Sequence, residues 1–371
     1  MIINQLNDYL SGIKKEGLYR QRQVIDVSGG NLLFSSNDYL SLADDPQVKQ
    51  AYQVGFARYP SGSGGSMVVC GYHSAHQTLE KAFAAALGVD DCLLFSSGFA
   101  ANLSVISMLA HAKASVLIDK AVHASIYDGL KLSGANYVRY RHHELADAAL
   151  KMQTMPDNTV VMTESIFSMS GQITPLVKMN KLVKSHQYEL LVDEAHAFGI
   201  TGREGLGAVV EAGLTQDDVP LRVLPFGKAF GAQGAIVAGQ GAWVDAILQS
   251  ARPYIYSTAI SPALAHGMLE TLTLIRRADE RREKLTHLVR YFREAIKSSP
   301  LQWRDSHTPI QQLQLGCPHR ALSYAAKLRE QSIICLPIRQ PTVSKLETGL
   351  RIILNYNHQP EHIDRLFKCL I

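Results

Sequence analysis

Apolar and polar positions along the chain fall into two rhythms, and each predicts an element. Between about residues 90 and 240, the short apolar runs DDCLLF, SVLID, TVVMTE, ELLVD and AIVAG alternate with stretches whose apolar residues recur at helical spacing. Strands buried on both faces and covered by helices predict an α/β fold with a mostly parallel central sheet, and such sheets gather their ligands at strand carboxyl ends. Residues 4–19 predict an amphipathic helix with Leu6, Leu10, Ile13 and Leu18 in one stripe. HSAHQTLEKAFAAALG predicts a helix over Ser74–Leu87, stopped by Gly88. Residues 263–297 read as helical and rich in charge, and from Pro309 onward apolar segments alternate with a helix near residues 322–331 before the strand-like GLRIILNYNH. The pattern divides the chain into an N-terminal helix and arm (1–40), a large domain (41–262) and a smaller α+β C-terminal domain (263–371).

The polar residues that interrupt these runs supply the candidate chemistry. ELLVDEAHAFG places Asp193, Glu194 and His196 directly after a buried strand, and FGKAFG sets Lys228 between glycines, where the backbone can turn sharply and approach a ligand. An acid and a lysine on neighbouring strand ends suit pyridoxal phosphate, whose carbonyl a lysine amine can hold and whose ring nitrogen a carboxylate can keep protonated. Taken alone, such a pair is common in α/β proteins. FSSGFAAN adds a strand-to-helix turn in which the Ser97 hydroxyl and the amides of Gly98 and Phe99 can receive a phosphate dianion. His123, with Asp119 and Ser125 nearby, follows another strand, and Glu164, Ser165 and Ser168 follow a third. Asn37 and Asp38 sit in a polar turn, where local backbone hydrogen bonding and ligand contact are both open.

Composition narrows the rest. A net charge of +4 with basic residues spread along the chain gives no case for nucleic acid. The five cysteines form no CxxC pair or metal spacing and are expected as buried thiols of a reducing compartment. No apolar run is long enough to cross a membrane, so a cytoplasmic protein is expected. The serine- and glycine-rich PSGSGGSMVVCG lacks nucleotide-loop spacing, which disfavours a nicotinamide dehydrogenase. The arginines and lysines of residues 276–297 are expected to form a solvated face, with an acidic carrier or a nucleotide-tailed thioester as a second reading.

The ordered motifs SNDYL, GSGGS, FSSGFAAN, DKAVHAS, TESIFSMSG, VDEAHAFG, FGKAFG, YSTAISPA and GLRI span nearly the whole chain. In that order they resemble the α-oxoamine synthases, which belong to the aspartate-aminotransferase-like fold type I class of pyridoxal 5'-phosphate enzymes. IRQPTV and HIDRL are most similar to the branch of that family serving biotin biosynthesis, which condenses L-alanine with a pimeloyl thioester and releases carbon dioxide. The resemblance implies that Lys228 forms the Schiff base, Asp193 pairs with the ring nitrogen, His123 stacks on the ring and His196 lies beside its phenolic oxygen. It implies that Ser168 is near the cofactor and the incoming acyl group, that Gly98 and Phe99 bind phosphate, and that Ser257 and Thr258 reach the phosphate of the other subunit's cofactor. Arg351 would hold the amino-acid carboxylate with Asn37 nearby, and Arg20 the far carboxylate of the acyl chain. A homodimer with shared active sites, fed by pimeloyl-CoA or pimeloyl-acyl carrier protein, is the implied assembly, and no metal is implied. Three positions depart from the family pattern: Pro225 where a threonine is common, Met67 where an arginine is usual, and Ser170 where an aspartate is common. The competing expectations are another α-oxoamine synthase acting on a different amino acid or acyl group, and a catalytically silent protein that keeps the fold.

Overall fold

A computed structural model describes residues 1–25 and 30–370, so residues 26–29 of the expected arm lie outside the described residues. The chain forms two compact units, one of residues 1–39, 168–172 and 283–371 and the other of residues 40–167 and 173–282. Strand β1 (Leu32–Leu33) belongs to the first unit. The next seven, β2 (Asp91–Phe95), β3 (Ser115–Asp119), β4 (Tyr137–Tyr140), β5 (Thr159–Glu164), β6 (Glu189–Asp193), β7 (Leu221–Pro225) and β8 (Ala235–Gly239), build the sheet of the second. The last five, β9 (Gln302–Trp303), β10 (Ile310–Gln314), β11 (Ile333–Ile334), β12 (Leu336–Ile338) and β13 (Gly349–Ile353), return to the first.

The larger unit holds the seven-stranded sheet in the order β2-β8-β7-β6-β5-β3-β4. Only β8 runs against the others, pairing antiparallel with both β2 and β7. Every residue of β5, β7 and β8 is buried, as expected of strands covered on both faces, and this is why they read as continuous apolar runs. The exposed edge that β2 would offer is covered by the helix Ser74–Leu87, whose Glu80 accepts the Leu94 N–H at 2.7 Å. That helix ends at Gly88 with φ of 66°, where the sequence places its stop.

In the smaller unit, β12-β13-β10-β9 form an antiparallel sheet and β1 pairs in parallel with β11. Phe292, Trp303 and Phe367 meet with ring centroids 5.0–5.5 Å apart and anchor the helix Pro360–Leu370.

Five expectations change. AIVAG was expected to complete a series with ligands at carboxyl ends, but β8 is reversed, so its amino end and the preceding Ala232–Gly234 face the cavity described below. The N-terminal helix is Ile2–Lys15 rather than 4–19, because Gly17 turns with φ of 69°, and none of its residues is buried. The expected helix over 263–297 is two, Pro262–Arg276 and Asp279–Lys297. Its basic residues are not simply solvated: Arg281 donates to Asp45 at 2.5 Å and to the Leu40 carbonyl at 2.8 Å, while buried Arg282 donates to the Ile275 carbonyl and to Asp279 at 2.6 Å. Arg293 and Lys297 pair with Asp305 and Glu294, which uses much of the charge that an acidic carrier would need. Among the cysteines, Cys92 and Cys335 are buried, Cys317 and Cys369 are half-buried, and Cys70 is exposed, contrary to expectation.

Candidate active site

A cavity of about 350 Å³ opens in the larger unit at the carboxyl ends of β2, β5, β6 and β7. Its lining brings together Ser97, Gly98, Phe99, His123, Asp193, His196 and Lys228, residues scattered over more than 130 positions of sequence. Asn102, Glu164, Pro225 and the segment Ala232–Gly234 add to its walls.

Lys228 is placed by aromatic anchors on either side. Phe226 and Phe230 stack at 4.2 Å and pack against Phe83 and Phe198, so FGKAF is held at both ends while Gly227 and Lys228 line the cavity. The turn closes through Gly231 N–H to the Lys228 carbonyl at 2.8 Å and Ala232 N–H to the Phe226 carbonyl at 3.0 Å.

Asp193 ends β6 and is buried. Its carboxylate accepts from Asn102 Nδ2 at 2.8 Å and from the Ala195 N–H at 2.9 Å. Burial lifts this carboxyl above its ordinary range, while those two donors and the charges of His123 and Lys228 pull it back toward the ionised form. The neighbouring Glu194 turns away from the cavity. It pairs with buried Arg222 at 2.7 Å and accepts the amides of Ala208 and Val209, which pins the turn after β6 and with it His196. His196 is buried at the cavity wall.

His123 caps the helix Ala124–Ser133 and keeps an exposed face at the cavity, with its Nδ1 2.7 Å from Ser125 Oγ. Partial desolvation and the charge of Lys228 push its pKa down, against the raising effect of Asp193. Beside it, with the Phe99 and His123 rings 6.5 Å apart, the helix Gly98–His111 begins. Ser97 is its cap, accepting the Ala100 N–H at 3.1 Å, which leaves the amides of Gly98 and Phe99 as the free first-turn donors. A side chain at Gly98 would lie 2.6 Å from the Pro225 ring, so only glycine lets this turn approach the end of β7.

These residues fit a pyridoxal phosphate. The cavity is of the size that takes a small cofactor, a buried carboxylate with two supporting donors awaits a protonated ring nitrogen, and a helix amino end awaits an anion. Among the described residues, no group of three or more His, Cys, Asp or Glu is arranged to hold a metal ion, and no helix is long and apolar enough to cross a membrane.

The remaining sequence candidates lie elsewhere. In the smaller unit Arg351 is buried, donating from Nε to the Ser168 carbonyl at 2.6 Å and from Nη1 to Asn37 Oδ1 at 2.9 Å, so these three candidates meet. Arg20 is exposed and donates to Thr342 Oγ1 at 3.3 Å. In the larger unit Ser257 and Thr258 are exposed and do not line the cavity. Their segment is clamped from behind: Ala259 N–H reaches the Gly65 carbonyl at 2.8 Å, Ser63 Oγ the Ala259 carbonyl at 2.9 Å, and buried His76 Nε2 the Ile260 carbonyl at 2.8 Å. Sequence reasoning missed Asn102. Its signal was a lone amide one helical turn beyond Gly98 in a helix otherwise made mostly of small and apolar residues.

Comparison with known proteins agrees with this geometry. Residues 30–370 match the family model described as aminotransferase class I and II. An 8-amino-7-oxononanoate synthase of Pseudomonas putida is 41% identical over 362 residues, covering 95% of this chain and 93% of that protein. One from Marinobacter nauticus is 38% identical over 96% of this chain and 93% of its own length. Among solved structures, the 8-amino-7-oxononanoate synthase of Francisella tularensis superposes with a TM-score of 0.81 at 32% identity, covering 92% of this chain and 97% of that one. A Sphingomonas wittichii serine palmitoyltransferase superposes at 0.89 with 26% identity, covering 100% and 95%. With its fold, its cavity and these matches in agreement, the chain belongs to the class I and II aminotransferase family, within its α-oxoamine synthase branch.

Proposed function

We propose that this protein is a pyridoxal-phosphate-dependent acyltransferase that condenses L-alanine with a pimeloyl thioester, giving 8-amino-7-oxononanoate, carbon dioxide and the free thiol carrier in biotin biosynthesis. The observation that carries this reading is the convergence of Lys228, Asp193, His123 and His196 on one cavity, in a chain 41% identical to a synthase of that name over 95% of its length.

When bound, the cofactor supplies an electron sink for the negative charge that develops at the alanine α carbon. Lys228, which lines the cavity, would hold the cofactor through Nζ and would take the alanine α proton onto that nitrogen. Asp193, supported by Asn102 Nδ2 and the Ala195 N–H, would hold a proton on the ring nitrogen. His123 would cover one face of the ring and His196 would stand beside its phenolic oxygen. The amides of Gly98 and Phe99 and the Ser97 hydroxyl take the phosphate. Arg351, with Asn37, holds the alanine carboxylate, Ser168 stands near the acyl group, and Arg20 takes the far carboxylate of the pimeloyl chain. In the net reaction the alanine α carbon bonds to the thioester carbonyl carbon, the thiol carrier and carbon dioxide leave, and Lys228 would return a proton to the α carbon. The working unit is a homodimer in the cytoplasm, in which Ser257 and Thr258 of one subunit reach the phosphate bound by the other.

The test is a visible absorbance titration of the purified holoenzyme with L-alanine and with glycine, followed by pimeloyl-CoA and mass spectrometry of the product, in parallel with Lys228→Ala. Alanine should perturb the cofactor band more than glycine, the product should carry the mass of 8-amino-7-oxononanoate, and Lys228→Ala should abolish both. A chain that binds no pyridoxal phosphate, or one that turns over glycine in preference, overturns the assignment.

A further inference from the structure

We infer that Asn102 and Ser125 form a directional hydrogen-bond relay that joins Asp193 to His123 and fixes the single tautomer in which His123 works. Both are positioning residues, and the inference depends on the proposed function only for the identity of the ring they serve.

The direction follows from counting donors and acceptors. Asn102 is buried on the helix Gly98–His111, and its Nδ2 lies 2.8 Å from Asp193 Oδ2 and 3.0 Å from Ser125 Oγ. An Asn side chain must turn its NH2 group, not its carbonyl, toward a carboxylate, since the reverse would set two acceptors face to face. Both amide hydrogens are then committed, one to Asp193 and one to Ser125. Ser125 is buried, and its Oγ, already accepting from Asn102, has one hydrogen left to give. The acceptor in reach is His123 Nδ1 at 2.7 Å, and the Ser125 backbone N–H points at the same nitrogen from 3.3 Å. A ring nitrogen that receives two donors carries no proton of its own, so the neutral imidazole keeps its hydrogen on Nε2.

A second observation shows what the amide is kept for. Asn102 Oδ1 is buried and accepts no hydrogen bond, an arrangement that costs stability and that a leucine of similar size would avoid. The side chain is therefore retained for its two donors. One supports the charge of Asp193, together with the Ala195 amide. The other passes through Ser125 and orients the ring of His123. Three separate elements, β6 and the helices that begin at Gly98 and Ala124, are thereby locked in register around the cavity.

The experiment is a long-range proton–nitrogen correlation spectrum of the 15N-labelled full-length protein, with and without pyridoxal phosphate, in which the His123 signals are assigned by their loss in His123→Gln. The wild type should show a protonated Nε2 and a bare Nδ1 in both states. Ser125→Ala should convert this to a mixture of tautomers while the melting temperature stays close to wild type. Asn102→Leu should leave the fold intact yet lower kcat by roughly tenfold or more, the loss expected of one charge-assisted hydrogen bond, with little change in the KM for the amino acid. A proton on Nδ1 in the wild type overturns the relay without the need for any variant. An unchanged tautomer in Ser125→Ala, or an Asn102→Leu enzyme with unaltered kcat, would do the same. If the protein takes up no cofactor, the proposed function fails, but the spectrum of the cofactor-free chain still decides the relay.

Discussion

Pro225 shows how one side chain sets the character of a binding wall. It ends β7 and packs its ring on the backbone of Gly98, at the turn assigned to the phosphate. A threonine there would offer a hydroxyl to the dianion, whereas proline offers only carbon and no N–H. Pro225→Thr is therefore expected to tighten pyridoxal phosphate binding by about tenfold, the worth of one hydrogen bond to a charged group, measured by equilibrium dialysis of the apoenzyme. Unchanged affinity would mean that the phosphate does not approach this residue. The departure itself was legible in the sequence. Its contact with Gly98 was not, because the two residues are 127 positions apart and meet only through strand order.

At the scale of elements, the helix Ser74–Leu87 carries a titratable staple. Burial pushes the Glu80 carboxyl up from 4.5 to about 7, with its oxygens receiving the Tyr72 hydroxyl at 2.6 Å and the Leu94 N–H at 2.7 Å. Between those two values the folded chain holds a proton that the unfolded chain releases, so the contribution of Glu80 to stability falls as pH rises through that window. The loss is up to about 3 kcal/mol between pH 4.5 and 7. Glu80→Gln keeps a carbonyl for Leu94 and cannot ionise. In urea titrations at several pH values, the variant should gain on the wild type as pH is raised, and a constant difference would refute the assignment. The sequence shows a glutamate in an amphipathic helix and nothing more. That it covers the edge of β2 follows from the packing of that helix on the sheet.

At the scale of the whole molecule, the proposed dimer makes a quantitative prediction. Ser257 and Thr258 lie on an exposed segment clamped by the loop at Ser63–Gly65 and by His76, away from the cavity of their own chain. Lys228→Ala should be inactive, and Ser257→Ala/Thr258→Val should bind cofactor weakly. Unfolded together and refolded in equal amounts, the two should recover about a quarter of wild-type activity, because half of the dimers are mixed and each mixed dimer has one intact site of two. No recovery on mixing would mean that these hydroxyls serve their own subunit, and full activity of Ser257→Ala/Thr258→Val alone would mean that they serve neither.

The sequence by itself determined the alternation of strands and helices, the boundary at Gly88 and the setting of Asp193, His123, His196 and Lys228 just after apolar runs, because apolar periodicity and the polar residues that interrupt it are local properties of a chain. The tertiary structure decided what depends on residues far apart in sequence. It reversed β8 and so placed Ala232–Gly234 at the cavity, since strand direction is chosen by pairing and not by composition. It drew Arg281 and Arg282 out of the expected solvated face, Arg281 onto Asp45 and the Leu40 carbonyl and Arg282 onto the Gly199 carbonyl. It also brought Asn102 between Asp193 and Ser125, for a buried amide finds its function only when packing supplies the partners for its donors.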